Sequence, residues 1–441
     1  MAGQLSSLGA QADTLQQIYD LARANDPTYR AAQAALRSGE LNRTIGRAAL
    51  LPNLNVSVNG EYREDIGGNS GAGAGAGSSD DDITTSYSAT LNQTLFDMSD
   101  WYSYRSGDIQ ATQAEYRWEL AQQDLVTRTV TAYLNVLEAV DALETTVAEK
   151  AALESQLNQT QQRFEVGLVA VTDVLEAQAS YDSVLATEFQ SRGDLGIAFE
   201  QLTILTGQQH ANIAPLMENY PIQQTNPATA AEWVTMALQN SQSLDVARLS
   251  LESAEVSAKS SWSSYLPTLN GRVTYGGDFD DDPMTPDDSG AVVVSLDVPV
   301  LVFTGGSTLA RRKQAYAQLD QAEEEFLNTQ RTLEQSIRTL HLTVSSNINL
   351  VRARLQAIRS AESALEATQA GYEVGTRSLV DVLVAQQNLY RARRNYLSSR
   401  YAYIRSVFSL KAAAGNLTPA DVESLNRWLD ASGQISRSQY Q

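Results

Sequence analysis

The 441-residue chain carries 52 acidic against 32 basic residues, 43% hydrophobic residues, 19 tyrosines and no cysteine. A net charge of −20 excludes duplex nucleic acid as a partner, because phosphate recognition draws its affinity from Lys and Arg. Without cysteine there is no disulfide scaffold, thiolate nucleophile, Cys-type zinc site or acylated N-terminal cysteine, and no run approaches the roughly 20 apolar residues of a membrane-spanning helix. A β-barrel membrane protein is left open.

In chain order, residues 1–12 read as a tail or processing remnant. Ala10-Gln11-Ala12 before Asp13 has the small-x-small pattern of a signal-peptidase site, although Met1 to Gly9 lacks an apolar core; a mature exported chain with an altered start is expected. Residues 13–206 form a first structural repeat. After an opening helix, Leu54, Val56, Val58 and Tyr62 alternate with Asn53, Asn55, Ser57, Asn59, Glu61 and Arg63, which predicts a two-faced strand over 51–63. A second strand over 85–96 places Tyr87, Ala89, Leu91 and Leu95 on one face. The loop between them, with Gly71, Gly73, Gly75 and Gly77 and then Asp80 to Asp82, reads as a solvated connection rather than a phosphate loop or a calcium site.

Proline is absent from 53 to 214 and from 300 to 418, leaving room for very long helices. Val130, Leu134, Leu137, Val140, Leu143, Val147, Leu153 and Leu157 predict one helix over 101–164. Leu333, Ile337, Leu340, Val344, Ile348, Val351, Leu355, Ile358 and Leu365 predict another over 308–372. Spacings near 3.5 indicate coiled-coil packing, and a helix of this size is about 100 Å long, so an elongated molecule is expected.

The first long helix ends in a turn at 165–172, followed by a return helix. A linker at 207–227 leads into a second repeat over 228–415, with strands at 266–277 and 289–303 and a turn at 373–380, and 416–441 form a terminal helix and tail. Aligning Phe164 with Tyr372 matches Glu165, Val166, Gly167, Asp173, Val174, Leu175, Ala177 and Gln178 to Glu373, Val374, Gly375, Asp381, Val382, Leu383, Ala385 and Gln386. The chain is therefore internally duplicated.

Four strands of about ten residues, each with an apolar face, suit the thickness of a membrane hydrocarbon layer. Tyr62, Tyr87, Trp101, Tyr265 and Tyr275 lie towards strand ends, where a membrane interface rewards amphipathic rings. Four strands cannot close a barrel, and an open edge is not tolerated in lipid, so oligomerisation is expected. Three chains would supply twelve strands and an aqueous lumen; the polar inward set, with Glu61, Arg63, Arg272 and Asp297, favours that over a filled eight-stranded barrel. His210 and His341 read as structural or solvated, and no catalytic constellation, metal site or cofactor site is expected.

The chain resembles the TolC family of outer-membrane efflux channels. The residues that carry the resemblance are Ala132-Tyr133-Leu134-Asn135-Val136-Leu137, Leu95-Phe96-Asp97-Met98-Ser99, Gln162-Arg163-Phe164-Glu165-Val166-Gly167-Leu168-Val169-Ala170-Val171-Thr172-Asp173-Val174 and Gly371-Tyr372-Glu373-Val374-Gly375-Thr376-Arg377. The resemblance implies a mixed α and transmembrane β fold: a homotrimer with a 12-stranded barrel in the outer membrane of a Gram-negative bacterium and an α-helical tunnel in the periplasm. It implies an exit duct for tripartite efflux pumps and type I secretion, joined through a periplasmic adaptor to an inner-membrane transporter.

Residue by residue, the resemblance implies gate links at Thr172, Asp173, Tyr372 and Arg377. It implies a periplasmic aperture at Asp381, where the family's second aspartate is replaced by Val384. The adaptor-contact tips it implies are Val166, Gly167 and Leu168 with Val374, Gly375 and Thr376, glycine there allowing close backbone approach. The competing reading is a periplasmic coiled-coil adaptor without a pore, which needs one hairpin and no lipid-facing strands.

Overall fold

The computed structural model describes residues 12–63, 82–279, 288–299, 305–430, 433 and 435–436. The Gly71 to Gly77 run, Asp80, Asp280 to Asp282 and Val300 lie outside the described residues, as does the side chain of Arg63. In chain order the elements are α1 (Leu15–Asn25), α2 (Pro27–Ala48), β1 (Asn53–Arg63), β2 (Asp82–Phe96), α3 (Met98–Glu165), α4 (Val171–Thr206), β3 (Asn212–Ile213), α5 (Ala230–Asn240), α6 (Gln242–Ser260), β4 (Thr268–Phe279), β5 (Ser289–Asp297), α7 (Ser307–Glu373), α8 (Leu379–Ala413), α9 (Pro419–Asn426) and β6 (Ile435–Ser436). Two compact units divide the chain: Met1–Ala34, Arg117–Leu244 and Asn328–Gln441 form one, Ala35–Tyr116 and Asp245–Leu327 the other. Each unit takes corresponding pieces from both sequence repeats.

The second unit holds a four-stranded antiparallel sheet in the order β1-β2-β4-β5. Its register places Leu54 beside Leu91, Leu91 beside Val273 and Val273 beside Val292, so the apolar alternation of each strand joins into one face. That face is uncovered: Leu54 is 66% and Val292 76% exposed. The opposite face is polar, with Arg272 Nε donating to Asn92 Oδ1 at 2.9 Å and the Ser57 and Ser88 hydroxyls 2.9 Å apart. Val293, beside Arg272, interrupts its polarity.

The predicted strands at 51–63 and 266–277 begin two residues late, at Asn53 and Thr268. Pro52 and Pro267 lack the N–H that a ladder needs, and pairing starts at the next residue in both repeats. The strand expected over 289–303 ends at Asp297, two residues before Pro299, and β2 starts at Asp82 rather than 85 because Asp82 still pairs with Arg63.

Where α2 meets the first part of α3 the backbones touch. A Cβ on Gly107 would stand 2.4 Å from the Asn42 carbonyl oxygen, so only glycine fits there. Beside it, the Arg43 guanidinium reaches Asp108 at 2.6 Å.

The first unit is built on α3, α4, α7 and α8. The long helices run slightly past their predicted bounds; α3 begins after Asp97, whose carboxylate accepts from Ser99 N–H at 2.7 Å and so caps it. The predicted stripes supply the interior: Val130, Leu134, Leu137, Val140, Leu143, Leu153 and Leu157 are buried, as are Leu333, Ile337, Val344, Ile348 and Val351. Val147 and Leu355 are exposed.

The segments around 207–227 and 416–436 pair with each other. β3 runs antiparallel to β6, Leu216 bridges Leu429, and Arg400 donates to the carbonyls of Met217 and Glu218 at 2.8 and 3.2 Å. His210 is buried, with Nδ1 2.8 Å from Asp13 Oδ2 and Nε2 2.7 Å from Thr206 Oγ1. It ties the segment before α1 to the end of α4. His341 Nε2 lies 3.1 Å from the Ala228 carbonyl oxygen, so both histidines are structural.

Candidate functional site

The two hairpin tips share one local construction. At the end of α3, Leu168 N–H bonds the Arg163 carbonyl at 2.8 Å and Gly167 N–H the Phe164 carbonyl at 2.9 Å. At the end of α7, Thr376 N–H bonds the Gly371 carbonyl at 2.8 Å and Gly375 N–H the Tyr372 carbonyl at 3.1 Å. Both are Schellman terminations, which require a left-handed residue, and Gly167 and Gly375 have φ of +76° and +78°. A Cβ at either glycine would meet nothing within 4 Å. Within the chain, then, glycine is needed at both tips for its left-handed conformation.

A side chain forced into that conformation costs about 1 kcal/mol or more. Gly167→Ala and Gly375→Ala should each loosen a tip, read as faster limited proteolysis between the paired helices with the melting temperature of the remainder little changed.

The tips are apolar and uncovered. Val166, Leu168 and Val374 are 70%, 74% and 75% exposed, while Thr376 folds back to donate its hydroxyl to the Gly371 carbonyl at 3.0 Å. Behind them, Leu153 and Leu157 of α3, Ala177 and Val184 of α4, and Leu379 and Leu383 of α8 form one buried cluster, with Val174, Tyr181 and Tyr372 packed against it. All four helices are thus fastened together just behind the turns.

Tyr372 lies against this cluster with its hydroxyl buried and without a hydrogen-bond partner. Its ring is covered by the Arg163 guanidinium, 5.3 Å from the ring centroid. The sequence reading did not single out Arg163, since a contact between the ends of two different helices leaves no trace in either helix's periodicity.

Thr172 and Asp173 occupy the first turn of α4, whose N-cap, Ala170, offers no side-chain acceptor. The Asp173 carboxylate and the Arg377 guanidinium make no hydrogen bond among the described residues, and Thr172 and Arg377 are exposed. The structure thus packs both Tyr372 and Val174 against one cluster without joining Tyr372 to Asp173.

Asp381 stands in the first turn of α8. Its carboxylate accepts from Ser378 N–H at 3.1 Å and Ser378 Oγ at 3.0 Å, while its own N–H donates to Ser378 Oγ at 3.2 Å. The Ser378 backbone bond first, then the hydroxyl, and more weakly the Arg377 charge hold this carboxyl below its usual range. It is ionised at neutral pH. Val384, one turn on, is 48% exposed.

Farther from the tips a polar seam joins α3 to α8. Arg394 pairs with Glu149 and Arg405 with Glu138, each at 2.5 Å, and Tyr401 Oη donates to Asp141 Oδ2 at 2.7 Å. Burial pushes the Asp141 carboxyl up to about 6, against the Tyr401 hydroxyl, with Glu144 and Glu138 adding to the rise and Arg400 opposing it. Among the described residues no three His, Asp or Glu side chains could hold a metal ion, and no helix is long and apolar enough to cross a membrane.

A family model described as Outer membrane efflux protein matches residues 18–208 and 233–416. The chain is 35% identical over 432 residues to Outer membrane protein TolC of Vibrio cholerae, covering 97% of this chain and 96% of that protein. It is 30% identical to Alkaline protease secretion protein AprF of Pseudomonas aeruginosa, covering 92% and 85%. Among solved structures, the CmeC outer membrane channel of Campylobacter jejuni superposes with a TM-score of 0.76 at 17% identity, over 98% of this chain and 95% of that one, which is a likeness of fold.

Proposed function

The chain belongs to the outer membrane efflux protein family, and on that premise we propose that three copies join their sheets into one barrel. It is an outer-membrane exit duct for efflux or secretion. The observation that carries the trimer is the open sheet: β1 and β5 are edges with no second neighbour among the described residues, and one whole face is apolar and uncovered. In lipid, unpaired edge N–H and C=O groups must find partners, and joining β5 of one copy to β1 of the next satisfies both edges at once. Three copies give twelve strands, enough to surround an aqueous lumen lined by the face that carries Asn92, Arg272 and Asp297. A pore-free adaptor has no use for such a sheet.

In this reading the helical hairpins extend into the periplasm as a tunnel. The exposed Val166, Leu168 and Val374, with Gly167, Gly375 and Thr376, meet a periplasmic adaptor that connects the duct to an inner-membrane transporter. Thr172, Asp173, Tyr372 and Arg377 link the two hairpins of the closed tunnel. The buried, unsatisfied Tyr372 hydroxyl supports this, because an orphaned buried donor costs about 1 to 3 kcal/mol and an ionised carboxylate is the acceptor that recovers most. Asp381 lines the aperture, with Val384 beside it.

The purified protein should require detergent, run as a trimer by light scattering and cross-linking, and form discrete pores in a planar bilayer. A detergent-free, monodisperse monomer that forms no pores would overturn the barrel.

A further inference from the structure

Asp173 and Asp381 are the same residue of the internal duplication, each at the third position of a return helix, yet their carboxylates are differently engaged. The difference lies three residues earlier, where α4 has Ala170 and α8 has Ser378. Elsewhere in the chain a hydroxyl at the N-cap reaches the polar side chain at this position. Thr14 Oγ1 lies 3.2 Å from Gln17 Oε1, Thr229 Oγ1 2.8 Å from Glu232 Oε2, and Thr418 Oγ1 3.2 Å from Asp421 Oδ2. The Thr418 and Asp421 pair shows that a threonine cap holds an aspartate; its N–H also donates to that carboxylate, at 2.9 Å. At Ala170 that hydroxyl is missing, and the Asp173 carboxylate has no hydrogen bond among the described residues, although its N–H donates to the Ala170 carbonyl at 3.2 Å.

A second observation lies on the other hairpin. The Tyr372 hydroxyl is buried and unpartnered against the cluster that Val174, the residue after Asp173, also packs on. An unsatisfied donor therefore packs on the same cluster as the residue next to an uncommitted acceptor.

We propose that Ala170 is a positioning residue of the gate: by withholding a hydroxyl from the N-cap of α4, it keeps the Asp173 carboxylate free to accept from the other hairpin, while Ser378 commits Asp381 to its own helix end. This rests on the gate reading given above. A capping box at α4 would stabilise the helix and take away the acceptor together, so helix stability and gate strength move in opposite directions. An ordinary structural role would move them the same way.

Ala170→Thr and Ala170→Val test this, being alike in shape and different only in the hydroxyl. Single-channel conductance should be severalfold higher in Ala170→Thr than in Ala170→Val, with the melting temperature of the Thr variant equal or higher. Asp173→Asn, measured alongside, tests the gate itself and should raise conductance. If Asp173→Asn raises it while Ala170→Thr and Ala170→Val conduct alike, the role of Ala170 is overturned and the gate stands. If Asp173→Asn conducts as wild type, the gate reading falls and this proposal with it.

Discussion

Tyr372→Phe combined with Arg377→Ser is expected to raise single-channel conductance severalfold while the melting temperature stays close to that of wild type. The phenylalanine keeps the ring under Arg163 and against the buried cluster, so packing is retained and only a hydroxyl without a partner is removed. Arg377 is exposed and makes no ion pair among the described residues, so its loss costs the fold little. In the proposed gate, the pair of changes would remove the donors to Asp173. Charge-assisted bonds of this kind contribute about 1.5 to 3 kcal/mol each, enough to hold a gate shut and small enough to be overcome by a docking partner. Unchanged conductance in a folded double variant would show that closure is held elsewhere, with the α3 to α8 ion pairs at Glu138 and Glu149 the next place to look.

The aperture carries the other large effect. Three Asp381 carboxylates converging on a symmetry axis would make a negative constriction, where a narrow passage concentrates the field beyond its value in open water. Trivalent cations should block from the periplasmic side, and Asp381→Asn should weaken that block at least about tenfold, or 1.4 kcal/mol. Asparagine keeps an oxygen for Ser378 and so separates loss of charge from loss of the helix cap. Val384→Asp, adding a second ring at an exposed position, should tighten the block. Ser378→Ala should tighten it too, by releasing the carboxylate, while costing about 1 kcal/mol of helix stability. Ser378 holds the Asp381 carboxyl below its usual range within one chain, whereas the like charges of two further copies would raise it, so the block should fade as pH falls and the carboxylates take up protons. Equal block in wild type and Asp381→Asn would remove Asp381 from the constriction.

The position of the tips was legible in the sequence because a helix-ending turn is local. A Schellman turn spans six residues, and Val166-Gly167-Leu168 and Val374-Gly375-Thr376 announce it twice at one offset. What those residues touch was not legible. Tyr372 and Arg163 lie over 200 positions apart and meet only because α3 and α7 end at the same place, behind a cluster to which four helices contribute. The commitment of Asp381 to Ser378 sits in between: the Ser-x-x-Asp spacing is local, but only the folded helix end shows the carboxylate turned back onto Ser378.

By itself the sequence determined the long helices, the strand faces and the duplication. Each rests on a signal carried within one segment: a period near 3.5, an alternation of two, or the proline that denies a ladder its first N–H at Pro52 and Pro267. Only the tertiary structure decided which segments become neighbours. It placed β4 of the second repeat beside β2 of the first, pairing Leu91 with Val273, and so made one sheet from two hairpins. It also gathered matching parts of both repeats into each compact unit, so that the repeats are units of sequence and not of packing. The physical reason is that register and docking are properties of two surfaces at once. An apolar face on Leu54, Val56 and Val58 states that something must cover it, and nothing within one strand says what.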